Sequence, residues 1–234
     1  QREIELTAGS FGRKQLAFDF TGPLGADSPW SYRLTGLVRD SGTQTDFIRN
    51  DRVYIAPALT WRPSADTSLT ILANYQRDAK GSTADYDLPR VGTLSPNVNG
   101  WIPINRMNSE PAFDRYAKPQ SSIGYLFDHR LDETWTFRQN VRLSRIATTY
   151  AGVYSYGLDP DERTVYRGAY TERDAGNVLA IDNQMQAKWT QGRLAHVLLM
   201  GFDYRGSRST IQAADGPAAV GAVRRGRLVG RAVA

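Results

Sequence analysis

The sequence predicts an all-β protein, and within that class a segment of an antiparallel transmembrane β-barrel. Three observations carry the prediction. Apolar and polar residues alternate in nine separate segments, the connections between them alternate between long and short, and Trp30, Trp61, Trp135 and Trp189 all abut short ones. A period of two places one kind of side chain on each face of a strand. A membrane barrel needs strands of about ten residues with unequal connections at its two ends, whereas a soluble sandwich uses about five or six. Tryptophan collects at membrane–water interfaces because its ring is apolar while its N–H needs a polar partner.

In order, strands are expected at Arg2–Ala8, Lys14–Phe20, Ser31–Arg39, Arg52–Trp61, Ser68–Asp78, Ser122–Asp128, Thr134–Ser144, Gly176–Trp189 and Ala195–Tyr204. The alternation is clearest in three of them. Ser68–Asp78 sets Leu69, Ile71, Ala73 and Tyr75 against a polar face that includes Leu72. Thr134–Ser144 sets Trp135, Phe137, Val141 and Leu143 against Thr136, Arg138, Asn140 and Arg142, with Gln139 the exception on the apolar side. Gly176–Trp189 sets Leu179, Ile181, Met185 and Trp189 against Asp182, Gln184, Gln186 and Lys188. In this register Glu3, Glu5, Asp19, Arg33, Arg39, Asp78, Asp128, Arg138, Arg142, Asp182 and Lys188 all project to the polar face. A buried unpaired charge costs several kcal/mol, so this face must meet water or a polar protein element.

The expected connections are Gly9–Arg13, Thr21–Pro29, Ser41–Asp51, Pro63–Thr67, Gly81–Gln120, Arg130–Glu133, Tyr150–Ala175 and Gln191–Arg193. The two longest fall at the same end. Loops of more than about fifteen residues are uncommon in compact domains unless they are functional. An antiparallel barrel closes with an even number of strands, so nine are expected to be part of a larger wall.

Composition removes several classes of function. Cysteine is absent, which excludes disulfides, Cys-ligated zinc, iron–sulfur centres and a thiol nucleophile. Two histidines, His129 and His196, make no His-rich metal site. No run approaches 18 apolar residues, which excludes a transmembrane helix but not a barrel. The net charge is +5, and four Arg against one Asp place +3 of it in residues 212–234. The remainder is near neutral, so nucleic acid is not an expected partner. Gln1 opens directly on a strand pattern without a charged and then apolar leader, and the chain is expected to begin inside a longer protein.

The run LPRVGT (Leu88–Thr93), then NGWIP (Asn99–Pro103), SEP (Ser109–Pro111), GYLFDH (Gly124–His129) and RQNVR (Arg138–Arg142) resembles the TonB-dependent ferric siderophore receptors, most closely the ferrichrome and hydroxamate branch. YRLTG (Tyr32–Gly36), IAPALTWRP (Ile55–Pro63), GVYSYG (Gly152–Gly157) and HVLLMGFDY (His196–Tyr204) fit the same family. The resemblance covers roughly residues 1–211. It implies about nine strands of a barrel of about 22, closed by a plug. It further implies the outer membrane of a Gram-negative bacterium, contact with outer-membrane lipid, and uptake of a ferric siderophore of hydroxamate type, energised by TonB through the plug domain. Ferric iron would be cargo, carried as the siderophore chelate, with no covalently bound cofactor and no enzymatic step. Pro63–Thr67, Arg130–Glu133 and Gln191–Arg193 become periplasmic turns, and Gly81–Gln120 and Tyr150–Ala175 extracellular loops.

The ligand site implied by the resemblance is an aromatic cup formed by extracellular loops and the plug apex. Tyr86 and Trp101 match its loop aromatics best, followed by Tyr116, Tyr154 and Tyr156. A bulky, neutral ferric hydroxamate gains most from flat apolar surface and a few donors. The sequence contains no counterpart of a TonB box, plug, second barrel half or terminal aromatic, and the 234 residues alone are expected to be inactive.

Two readings from other classes stand beside this one, a passive porin-like channel and an outer-membrane hydrolase. Asp128-His129 lacks an accompanying G-x-S-x-G nucleophile pattern, so no catalytic residue is assigned and His129 is expected to make an interfacial hydrogen bond. Asp159-Pro160-Asp161-Glu162 lacks the glycine and distal Glu of a calcium loop. It is expected to be a solvated outer loop, and no metal site is assigned. Gln212–Ala234, rich in Ala, Gly, Val and Arg, shows neither alternation nor resemblance and is expected to be a disordered or frame-shifted tail.

Overall fold

The computed structural model describes residues 2–78, 88–218, 221–224 and 227–230, the last two stretches by their backbone alone. Nine long strands form one antiparallel meander. They are β1 (Arg2–Gly9), β2 (Arg13–Pro23), β3 (Trp30–Asp40), β4 (Arg52–Trp61), β5 (Thr67–Asp78), β6 (Arg115–Arg130), β7 (Trp135–Leu158), β8 (Thr164–Gln191) and β9 (Leu194–Pro217). Each pairs with the next in sequence order. Beyond β9, a short β10 (Gly221–Arg224) continues along β8 at Val165 and Thr164, and β11 (Arg227–Gly230) turns back upon it.

Directly opposed residues of an antiparallel pair share a face, so the register carries one face across the whole sheet. It runs from Glu3 opposite Asp19, through Arg39 opposite Arg52 and Asp128 opposite Arg138, to Asp182 opposite Asp203. All eleven charges expected on the polar face lie on it. The other face carries Ile4, Leu6, Leu16, Val38, Ile55, Ile71, Ile123, Leu143 and Phe202, with Leu6 79% and Phe202 69% exposed. An apolar band of this extent is what a lipid-facing wall presents. Among the described residues the buried apolar side chains are Ile48, Ala117, Val153, Val165 and Ala187, so no packed core holds the sheet. The ladders do.

The short-turn end carries the aromatic girdle. Trp30 stacks on Trp61 with ring centroids 5.9 Å apart, and Trp189 on His196 at 5.0 Å. His129 makes its interfacial hydrogen bond there, Nδ1 to the Thr67 hydroxyl at 2.9 Å. Gln139, the polar exception on the apolar face, is paired. Tyr125 donates to its Oε1 at 2.5 Å, and its amide donates to Asn183 Oδ1 at 2.6 Å. These bonds join three strands where lipid offers no partner to a polar group.

Two expectations are corrected. Tyr150–Ala175 is not a loop, because β7 and β8 stay paired up to Leu158 opposite Val165 and leave only residues 159–163 as the turn. Lipid imposes amphipathic alternation only over the membrane's height, and the hairpin continues beyond that height with both faces free of the constraint. Nor does the last long strand, expected at Ala195–Tyr204, stop at Tyr204; it runs to Pro217. Gln212 through Pro217 pair with Arg173 back to Gly168, so the first six residues of the Ala/Gly-rich stretch belong to the sheet. Backbone pairing with β8 needs no side-chain pattern.

Candidate ligand-binding site

At the long-loop end the β7–β8 hairpin is two-faced. Tyr150, Tyr154, Tyr166 and Tyr170 project to the same face as the charges, with Tyr116 of β6 directly opposite Tyr150. Tyr156 joins them at a bulge between Ser155 and Gly157. The rings form two neighbouring runs. Tyr116 meets Tyr150 edge-on at 6.1 Å and Tyr150 meets Tyr170 at 5.9 Å; Tyr154 meets Tyr156 at 6.4 Å and Tyr156 stacks on Tyr166 at 6.3 Å. Tyr156 and Tyr166 are 68% and 37% exposed, so ring surface is open to a ligand. Gly168 is part of this arrangement, since a Cβ there would lie 2.5 Å from the Tyr154 ring. Its absence lets that ring lie across β8.

Three of the hydroxyls donate to carboxylates. Tyr154 reaches Asp215 Oδ1 at 3.1 Å, Tyr166 reaches Asp159 Oδ1 at 3.0 Å and Tyr170 reaches Glu172 Oε2 at 2.5 Å. In each case the hydrogen bond to the carboxylate is the largest cause of a phenol pKa above its ordinary value. The hydroxyls therefore stay protonated as donors.

The opposite face of the hairpin is covered by the loop of residues 88–114. Ser109 Oγ accepts from the Val153 N–H at 2.8 Å and donates to Asp114. The Asn108 amide donates to Ser155. Arg167, only 4% exposed, lies 3.5 Å from both the Asn108 carbonyl and Glu110 Oε2. The SEP run is thus the anchor of the long loop. Further along, the Asn97 amide donates to the Glu162 carbonyl at 2.7 Å, the Val98 N–H to Glu162 Oε2 at 3.0 Å, and the Asn99 amide to the Asp161 carbonyl at 3.1 Å. The acidic turn, expected to be merely solvated, is the dock for this segment. Asp161 itself accepts from the Thr164 and Arg163 N–H groups and the Thr164 hydroxyl, which hold its pKa below the usual aspartate value. No group of three potential metal ligands occurs among the described residues.

Replacing Ser109 by Ala should cost about 1–3 kcal/mol locally, because the buried Val153 N–H loses its acceptor. Limited proteolysis tests this: cleavage within residues 88–114 should accelerate while cleavage at the 62–66 turn stays constant. Equal acceleration at both would refute a local anchoring role.

Of the five expected ligand residues, Tyr116, Tyr154 and Tyr156 come together in the tyrosine wall. Trp101 does not. It sits on the long loop, 65% exposed, and among the described residues its ring meets no other. Tyr86 lies outside the described residues. Tyr150, Tyr166 and Tyr170 lie beyond the expected set; the signal available for them is parity with Tyr154 once the hairpin is extended.

Comparison with known proteins follows the same outline. The family described as TonB dependent receptor-like, beta-barrel, matches residues 60–230. The Ferrichrome outer membrane transporter/phage receptor of Escherichia coli is 33% identical over 229 residues, covering 91% of this chain and 30% of that protein. The Ferrioxamine B receptor of Salmonella typhimurium is 32% identical over 203 residues, covering 87% and 29%. The chain therefore spans about a third of the length of these relatives. Among solved structures, the ferric-catecholate import receptor Fiu of E. coli in its closed form superposes with a TM-score of 0.76 at 16% identity, covering 89% of this chain and 31% of that one. That likeness concerns the fold.

Proposed function

The chain belongs to the TonB-dependent receptor-like β-barrel family, and we propose on that premise that it forms wall and ligand-binding surface of a receptor for ferric siderophore uptake. The membrane is the outer membrane of a Gram-negative cell, where the apolar face meets lipid. The observation that carries the ligand assignment is the wall of six tyrosines at the long-loop end of the polar face. Flat rings with a few oriented polar groups suit a bulky iron chelate of hydroxamate type, and both relatives above are named for hydroxamate chelates. Iron is cargo within that chelate, and no bond is made or broken in moving it. β1 and β9 are pairing edges of an open sheet among the described residues. Transport is therefore a property of the closed barrel containing them, with TonB acting through its plug, and the nine strands alone are inactive. The barrel assignment covers residues 1–211 and extends along β9 to Pro217.

Saturable binding of a ferric trihydroxamate to outer-membrane vesicles carrying the native protein is the expected result. A passive porin-like channel would instead give uptake linear in concentration, with no saturation and no competition by the iron-free ligand.

A further inference from the structure

The tyrosine wall has a charge as well as a shape. Asp159, Glu172 and Asp215 each accept from a tyrosine of the wall, and Asp174 lies on the same face one step along β8 from Glu172. Among the described residues Lys118 sits 6.0 Å over the Tyr116 ring at the margin. Arg167 is turned to the other face and engaged with Glu110. Arg90 of the long loop borders Tyr156 and Arg163 lies in the acidic turn beside Asp161, and the acids of this sector outnumber these cations. On the strands, Arg39 and Arg52 are on β3 and β4, bonded to Asn50 and Asp78. Arg205 is ten residues down β9 from Asp215, about 33 Å along the strand.

Resting on the binding role proposed above, we infer that this wall selects ferric chelates carrying an exposed positive charge, a protonated amine, over neutral and anionic ones. Two independent features favour that sign. A tyrosine ring face attracts a cation through its quadrupole, and Tyr156 and Tyr166 present such faces. Each carboxylate has a second oxygen beyond the one that accepts from tyrosine, and Coulomb attraction to a cation there reinforces the ring contact. An anionic chelate meets both features unfavourably. The hydroxyl-to-carboxylate bonds also fix the acids beside the rings, so that one cation can engage a ring and a carboxylate together.

The test uses outer-membrane vesicles carrying the native protein and three probes. These are a linear ferric trihydroxamate ending in a free amine, the same chelate with that amine acetylated, and an anionic ferric tris-catecholate. The amine form should bind about tenfold more tightly than the acetylated form at low salt. The ratio should narrow as salt screens the exposed charges, and the catecholate should bind most weakly. Asp215→Asn combined with Glu172→Gln keeps an acceptor for each tyrosine and should bring the amine-to-acetyl ratio toward one. Equal affinities for the amine and acetylated forms, or a ratio unmoved by the double variant, overturn the charge selection and leave the receptor reading intact. Saturable binding of none of the three overturns the receptor reading, and the inference with it.

Discussion

Truncation of Tyr154 to Ala should weaken binding of a ferric trihydroxamate by about thirtyfold, the effect of removing a central aromatic anchor worth about 2 kcal/mol. Tyr154 is the pivot of its run of rings. It lies over Gly168, touches Tyr156 at 6.4 Å and fixes Asp215 through its hydroxyl. Removing the ring opens a gap above Gly168 and frees Tyr156, so the loss exceeds that of one contact. Tyr154→Phe separates the two contributions. It keeps the ring and frees only Asp215, so affinity should fall by less than about threefold. Trp101→Ala, by contrast, should change affinity less than about twofold, since that side chain stands apart on the loop. Equilibrium titration of the three variants in vesicles decides the matter. A larger loss from Trp101→Ala than from Tyr154→Ala would move the binding surface from the strand wall to the loop tip.

That outcome bears on what a sequence can disclose in a protein of this kind. Where lipid touches one face and water or protein the other, each strand is written in alternation. Arg52–Trp61 is found as expected to the residue, and β5 differs by one residue at its start. The tryptophans of the short-turn end were legible for the same reason, as the interface selects their residue type. Past the membrane the constraint ends. Ala147-Thr148-Thr149-Tyr150 has no apolar face, yet it is strand, because β8 supplies a partner at every rung. The candidate site suffered from this directly. The alternation alone leaves Tyr154 and Tyr156 in a loop, where aromatics have no defined neighbours, and gives no relation between them and Tyr166 or Tyr170. The pairing of β7 with β8 brings all four to one surface. The acids beside the rings were equally hidden, since Asp215 is sixty-one positions from Tyr154 and meets it only through the β8–β9 register. Resemblance offers aromatic candidates in chain order; register decides which of them can touch one molecule.

The register also sets the most demanding test of the membrane assignment, because neighbouring residues of β7 should respond oppositely to the same substitution. On the apolar face β7 runs Trp135, Phe137, Gln139, Val141, Leu143 and then Arg145. Ten residues separate the girdle tryptophan from the first cation, which at a 45° tilt is about 24 Å of height, the thickness of an apolar barrel belt. Val141 lies near the middle of that span, between Tyr125 and Ile181 of the flanking strands. Val141→Arg should therefore cost about 2–4 kcal/mol, as a guanidinium at the bilayer midplane does. Asn140 faces the other way and bonds Asp182 at 3.0 Å. Asn140→Arg exchanges that bond for an ion pair with the same carboxylate and should change stability by less than about 0.5 kcal/mol. Urea-dependent unfolding of the native protein in lipid vesicles measures both. The predicted order requires lipid on the Val141 side, since in water a half-exposed valine on an open sheet face can be replaced by arginine, whose long side chain reaches solvent, at little cost. Equal, small effects of the two variants would place both faces in a polar medium and remove the barrel wall on which the tyrosine site is built.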